Sequence, residues 1–315
     1  MKFLISTFFG ILLLFSLSLV SCQDDFTIQR KYDTEYVVLL IVDGPRHTET
    51  WGEPNRTYIP YRSQLLSEGV LVDNFRNNGV TFTTPGHASM VTGTYQNIAN
   101  NGSELPTKPT LFQYLRKQNS WNDNQLALVT SKDKLHVLRN SSFSGYQDLY
   151  LASFNCGVNS NGTGGYRNDS ITFEIAKQTL QNNHPYFTLI SFKEPDVAGH
   201  LNDSAGYYNG IVKTDFYVNE IWNQIQADPI MAGKTTLIVT NDHGRHLDNA
   251  GGYVNHGDGC EGCRRIEFFA LSPDFKQNYI STKNYEQIDI AHTIAELFHI
   301  KIKEGDGEVM WDLFK

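Results

Sequence analysis

The chain has 315 residues, 40% hydrophobic, 12% aromatic and 19% charged, an ordinary globular composition that excludes disorder, collagen and coiled coil. That length fits one large α/β domain or two small ones. With 26 Lys and Arg against 34 Asp and Glu, a net charge of −8 and no basic block, it lacks the clustered cations that binding a nucleic-acid duplex requires. Its carboxylates are available as metal ligands.

The chain opens on an address. Lys2 is the only charge in the first 23 residues, Phe3 to Val20 is apolar, and Leu19-Val20-Ser21-Cys22 follows. Residues 1–21 therefore read as a secretory signal. The Leu-Val-Ser-Cys ending resembles a bacterial lipobox. That implies a lipidated Cys22 as the new first residue, on a protein exported to the bacterial envelope and held at the outer membrane, the cell surface or the periplasmic side. Ordinary signal cleavage or a retained membrane anchor is the alternative. Residues 22–34 read as a polar tether and 35–315 as a single domain. No later stretch approaches the ~18 apolar residues that cross a bilayer.

Tyr36 to Val42 is a short, Val- and Ile-rich run ending in Asp43-Gly44, the pattern of a strand buried on both faces of a parallel sheet. A helix over 62–68 and a strand over 69–75 follow. Pro85 to Thr92 reads as a helix with Pro at its first position. Next come a helix over 110–117 and a strand over 126–130. Residues 131–167, rich in Asn, Ser, Gly and Tyr, read as a surface insertion over a site. A helix over 170–181 precedes a strand over 186–192 that runs into Glu194-Pro195-Asp196. A long amphipathic helix spans 204–226. The strand over 235–240 ends in Asn241-Asp242-His243-Gly244. A strand over 266–271 and a helix over 288–298 complete the pattern. Alternating strands and helices predict a mostly parallel central sheet sandwiched by helices.

Three of these strands end at an aspartate: Asp43, Asp196 and Asp242. Sites in open parallel sheets form beyond the carboxyl ends of strands, so the three are expected on one rim. His200 follows Asp196 by four residues, His243 follows Asp242 directly, and His256 lies 13 residues further on. Asp and His suit zinc, with manganese or iron as alternatives. Six such side chains exceed one tetrahedral site and point to two metals, which together grip both oxygens of an in-line displacement. Thr81, Thr83 and Thr84 place hydroxyls at a helix N-terminus, where amides and dipole favour an anion. Of the cysteines, Cys156, Cys260 and Cys263 remain beside Cys22. A lone Cys-x-x-Cys supplies only two zinc ligands, so a disulfide, local or to Cys156, is expected in an exported protein.

Asp43, Thr83-Thr84-Pro85-Gly86-His87, Glu194-Pro195-Asp196 with His200, Asp242-His243-Gly244 and His256 resemble, in order, the alkaline phosphatase superfamily. The nearest branch is that of the nucleotide pyrophosphatases/phosphodiesterases and threonine-nucleophile alkaline phosphatases. The resemblance covers residues 35–315 and implies a metal-dependent hydrolase of phosphate mono- or diesters that works through a covalent phospho-threonine. The nucleophile stands four residues before the motif histidine, which selects Thr83. Asp43, Thr83, Asp242 and His243 would hold one ion, and Asp196, His200 and His256 the other; both are expected to be zinc. A substrate-binding Asn is expected beyond the nucleophile. Asn97, Asn100 and Asn101 lie there without the usual His-Gly-Ile, and Asn100 is preferred. Arg46 and His246 are further candidates for substrate contact. The alternatives are a sulfatase, which needs Cys or Ser at position 83 and Arg at 87, a phospho-group transferase, and an inactive surface-binding lipoprotein. Mono- versus diester preference is not fixed by these motifs.

Overall fold

Tyr36–Asp43 is buried at all eight positions, and the two faces of this one strand enter two different cores. Val37, Leu39 and Ile41 pack into one, Val38, Leu40 and Val42 into the other. A strand covered on both sides cannot alternate apolar with polar residues, which is why it reads as a continuous apolar run. The computed structural model describes residues 30–315. The signal, Cys22 and the first part of the tether lie outside the described residues. Residues 32–315 form one compact unit.

In chain order the elements are β1 (Tyr36–Asp43), α1 (Pro60–Leu65), β2 (Val70–Arg76), α2 (Thr83–Thr92), α3 (Leu111–Asn119), β3 (Leu126–Thr130), β4 (Ser153–Cys156), α4 (Asp169–Asn183), β5 (Phe187–Pro195), α5 (Asp196–His200), α6 (Ser204–Ala227), β6 (Thr235–Thr240), α7 (Glu261–Arg264), β7 (Arg265–Leu271), β8 (Tyr279–Glu286) and α8 (Asp289–Leu297). The sheet order is β4-β3-β5-β1-β6-β7-β2-β8. β7 runs antiparallel to both its neighbours, and the other pairings are parallel. Helices α2, α3 and α8 cover one face through residues such as Met90, Phe112 and Ile294. Helices α4 and α6 cover the other through Phe173, Ile211, Val218 and Trp222.

Three readings of the sequence are corrected. Residues 131–167 are not a loose surface insertion: Lys132, Leu135, Val137 and Leu138 are buried, and β4 extends the sheet beside β3. The domain begins before residue 35. Thr34 is buried and donates to Asp274 Oδ2, and Tyr32 donates to Glu296. Helix α2 starts at Thr83 rather than Pro85, which puts Thr83 itself at the first helical position. No side chain caps this helix start, whereas Asn168 and Asp203 cap α4 and α6.

Candidate active site

The four neighbouring parallel strands β3, β5, β1 and β6 each deliver a charged residue at the carboxyl end. These are Lys132, two residues past β3, Asp196 directly after β5, Asp43 at the end of β1, and Asp242, two residues past β6. Parallel pairing brings these ends to one rim, and Asp43 lies in register with Pro195. All four are buried. The turn after β1 is made by Gly44 at φ +67°, where an added Cβ would lie 2.9 Å from Arg245 and 3.2 Å from Asp196 Oδ1. The chain has no room there for a side chain.

The six Asp and His candidates lie together. Asp43, Asp242 and His243 form one group, and Asp196, His243 and His256 another, with ligand atoms within 4.8 Å of one another in each. The His243 and His256 rings stack at 3.6 Å between centroids. His200 Nε2 lies 3.0 Å from His256 Nε2 and 3.3 Å from Asp196 Oδ1. Nδ1 of His243 faces the Gly244 carbonyl at 2.9 Å, and Nδ1 of His256 faces that of Thr81 at 2.8 Å. A carbonyl only accepts, so both Nδ1 atoms carry a proton and both rings turn their Nε2 atoms toward the cluster. Burial, ahead of any charge, brings His243 down to about 3, so the ring is neutral.

The cluster has unused valence. Both Asp43 oxygens, Asp242 Oδ2 and His243 Nε2 are buried without a directed hydrogen bond. Buried acceptors are normally satisfied, and four lone-pair atoms facing one another want a cation. The Lys132 ammonium stands in that space, 2.8 Å from Asp43 Oδ2, 2.7 Å from Asp196 Oδ2 and 3.3 Å from Thr83 Oγ1. Arg245, fully buried, donates to Asp196 Oδ1. Burial and then the charge of Asp242 raise the Asp43 carboxyl well above the usual range. Burial also works against the charge of Asp196, but Lys132, His200 and His256 hold its carboxyl well below the usual range. Asp242 is held low against burial by His243 and His87. This donor set fits divalent transition-metal ions.

Thr83 opens α2 and lines a cleft of about 300 Å³ with Asn100, Lys132, Lys134, Tyr166, His200 and His256. Asn100 Oδ1 accepts from the Thr84 amide at 2.8 Å and from Lys134 Nζ at 3.1 Å, which leaves its Nδ2 donors for another partner. Burial and then repulsion from Lys132 bring Lys134 down to about 8. His87 bridges the Thr83 carbonyl and Ser191 Oγ, 2.9 Å from each, a supporting position. Arg46 is bound to Glu49, Asp248 and the His246 carbonyl, and His246 turns toward Asp258; neither lines the cleft. The motifs did not single out Lys132, Lys134 and Arg245. A lysine just past a buried strand was the available signal for the first.

This sheet, with aspartates at the ends of β1, β5 and β6, has the fold of the alkaline phosphatase superfamily. Murine ectonucleotide pyrophosphatase/phosphodiesterase 5 superposes with a TM-score of 0.62 at 14% identity, covering 89% of this chain and 100% of that one. The phosphonate monoester hydrolase of Agrobacterium radiobacter does so with a TM-score of 0.64 at 15% identity, covering 89% and 77%. The type I phosphodiesterase / nucleotide pyrophosphatase family matches residues 37–247, and the chain belongs to that family. Human bis(5'-adenosyl)-triphosphatase ENPP4 is 24% identical over 200 residues, 59% of this chain and 43% of that protein. The 2,3-bisphosphoglycerate-independent phosphoglycerate mutase of Gracilaria tenuistipitata var. liui is 29% identical over 129 residues, 41% and 24%. The chain spans less than half the length of these two curated relatives.

Proposed function

We propose that the chain hydrolyses phosphate esters through a covalent phosphoryl intermediate on Thr83, using two divalent ions, zinc by the chemistry of the ligands. The observation that supports this reading is the cluster of buried carboxylate and imidazole groups at one sheet rim, with the Lys132 ammonium within 3.3 Å of Asp43, Asp196 and the Thr83 hydroxyl at a helix N-terminus. Asp43, Asp242 and His243, with Thr83, would hold one ion, and Asp196, His200 and His256 the other. Bound ions supply Lewis-acid stabilisation of the phosphoryl oxygens and a lower pKa for the threonine hydroxyl.

The chain's own residues do the rest. The α2 N-terminus favours the anionic form of Thr83 and of the substrate. The Nδ2 group of Asn100 donates to a phosphoryl oxygen, its orientation set by Thr84 and Lys134. The Thr83 Oγ1–phosphorus bond forms as the ester bond breaks, and the leaving oxygen takes up a proton. Water then attacks phosphorus, Oγ1 regains a proton, and the phosphoryl group leaves. Lys132 puts a cation 3.3 Å from the reacting oxygen, and Lys134 lines the same cleft. A terminal phosphate carries one more negative charge than a diester, so these lysines favour monoesters. We also propose export to the bacterial envelope on a lipidated Cys22.

Three chromogenic esters test the reading: p-nitrophenyl phosphate, bis-p-nitrophenyl phosphate and p-nitrophenyl sulfate. The monoester is expected to be turned over best and the sulfate least. Lys132→Met should lose at least about tenfold more kcat/KM on the monoester than on the diester, about 1.4 kcal/mol of selective transition-state stabilisation. Equal losses on the two phosphates would remove Lys132 from substrate selection, and sulfate preference would overturn the phosphate assignment.

A further inference from the structure

The loop that links β6 to β7 gathers a second ligand cluster outside the cleft. Cys260 and Cys263, with Cys156, are free thiols, not the disulfide expected from the sequence. Cys156 lies on edge strand β4, separated from β7 by four intervening strands in the sheet order. The Cys-x-x-Cys supplies two ligands, and the fold adds two more. The His246 amide donates to the Asn255 carbonyl at 3.1 Å and the Gly244 amide to that of Cys263 at 2.8 Å, so the loop closes on itself and sets His246 against the cysteines. Gly257 and Gly259, at φ +106° and +68°, flank Asp258 in conformations that L side chains avoid. The Asp258 carboxylate turns back to accept from the Cys260 amide at 3.0 Å.

We propose that His246, Asp258, Cys260 and Cys263 bind a third divalent transition-metal ion, zinc by ligand type, separate from the centre at Thr83. Their ligand atoms lie within 4.8 Å of one another. Cys260 Sγ is 3.2 Å from Cys263 Sγ, Cys263 Sγ is 3.5 Å from Asp258 Oδ1, and His246 Nε2 is 3.2 Å from Asp258 Oδ2. Ligands at 2.0–2.3 Å around a tetrahedral zinc stand about 3.3–3.8 Å apart. His246 Nε2 is buried with no hydrogen-bond partner, aimed into the cluster. Binding would convert two thiols to thiolates with release of their protons.

The ion would hold the loop that carries His256. Gly259 N donates to Thr81 Oγ1 at 3.2 Å and His256 Nδ1 to the Thr81 carbonyl at 2.8 Å, two residues before Thr83.

Cobalt(II) reads this site apart from the other two, because thiolate ligands give a near-ultraviolet charge-transfer band and carboxylate and imidazole ligands do not. The full chain, reduced, stripped of metal and reloaded with cobalt(II), should take up three equivalents and show the band. Cys260→Ser/Cys263→Ser should lose the band and one equivalent and keep the other two. Asp43→Asn/Asp242→Asn should lose the equivalent held with His243 and Thr83 and keep the band, so failure here and failure of the proposed phosphatase centre are distinguishable. A folded, reduced wild-type chain that takes up cobalt without the band would overturn the proposal. So would a band that persists in the double-serine variant, or a Cys260–Cys263 disulfide whose reduction restores no thiolate binding.

Discussion

Thr83 and Thr84 are adjacent buried hydroxyls with different surroundings. Thr83 Oγ1 lies 3.3 Å from Lys132 Nζ and lines the cleft. Thr84 Oγ1 is buried without a partner, and its amide is tied to Asn100. Helix α2 therefore presents one hydroxyl to the cluster and turns the other inward. Thr83→Ala should lower kcat on the order of 10³-fold, or ~4 kcal/mol. The metal content should largely survive through Asp43, Asp242 and His243. Thr83→Ser should keep partial activity, and Thr84→Ala should cost little beyond packing. Steady-state kinetics with metal analysis on the three variants checks this. A dead Thr84→Ala beside an active Thr83→Ala would shift the motif by one residue and redraw the ligand set.

At the level of elements, α1, α6 and β7 are tied by one buried guanidinium. Arg62 pairs with Asp215 at 2.8 Å and with Glu267, Asp215 also accepts from the Tyr61 and Arg62 amides at the start of α1, and Trp51 Nε1 donates to Glu267 at 2.6 Å. Arg62→Ala strands two carboxylates in a core and should cost about 3–5 kcal/mol in denaturant unfolding. Burial already raises the Glu267 carboxyl against the pull of Arg62, and losing that pull raises it further. A carboxyl raised in the folded state keeps its proton there, so its contribution is present at low pH and lost as pH rises through the folded value. The deficit of the variant relative to wild type should be smaller at pH 5 than at pH 8; an equal deficit would place the defect in packing. The central strands were legible because burial on both faces leaves an unbroken apolar run. β8 was not, since its burial is sparse and irregular, and neither was β4, four residues mostly half-buried. Edge strands are covered too little to force a pattern. Asp43, Asp196 and Asp242 were legible as strand-end residues. Arg245 was not, because a basic residue in a loop after a strand reads as solvated until the fold closes over it. The cluster at His246 depends on loop closure across 17 residues, which no local spacing records.

Across the whole molecule, the family match ends at residue 247, while His256, the Cys260–Cys263 pair and α8 lie beyond it. Among the described residues no helix is long and apolar enough to cross a membrane; the proposed attachment is through Cys22. More than one acyl chain is needed for stable anchoring. Cys22→Ala should release the protein to the soluble fraction or leave it unprocessed, as fractionation and intact-mass analysis would show; unchanged membrane partition would argue against lipidation. The central claim, a phosphate ester opened by Thr83, is tested most directly by acid-quenching the metal-loaded enzyme during turnover of p-nitrophenyl phosphate and mapping the phosphorylated peptide by mass spectrometry. One phosphoryl group is expected, on Thr83, absent from Thr83→Ala and from enzyme stripped of metal. Phosphate on Thr84, or rapid turnover with no covalent phosphoryl group in the quenched chain, would contradict it.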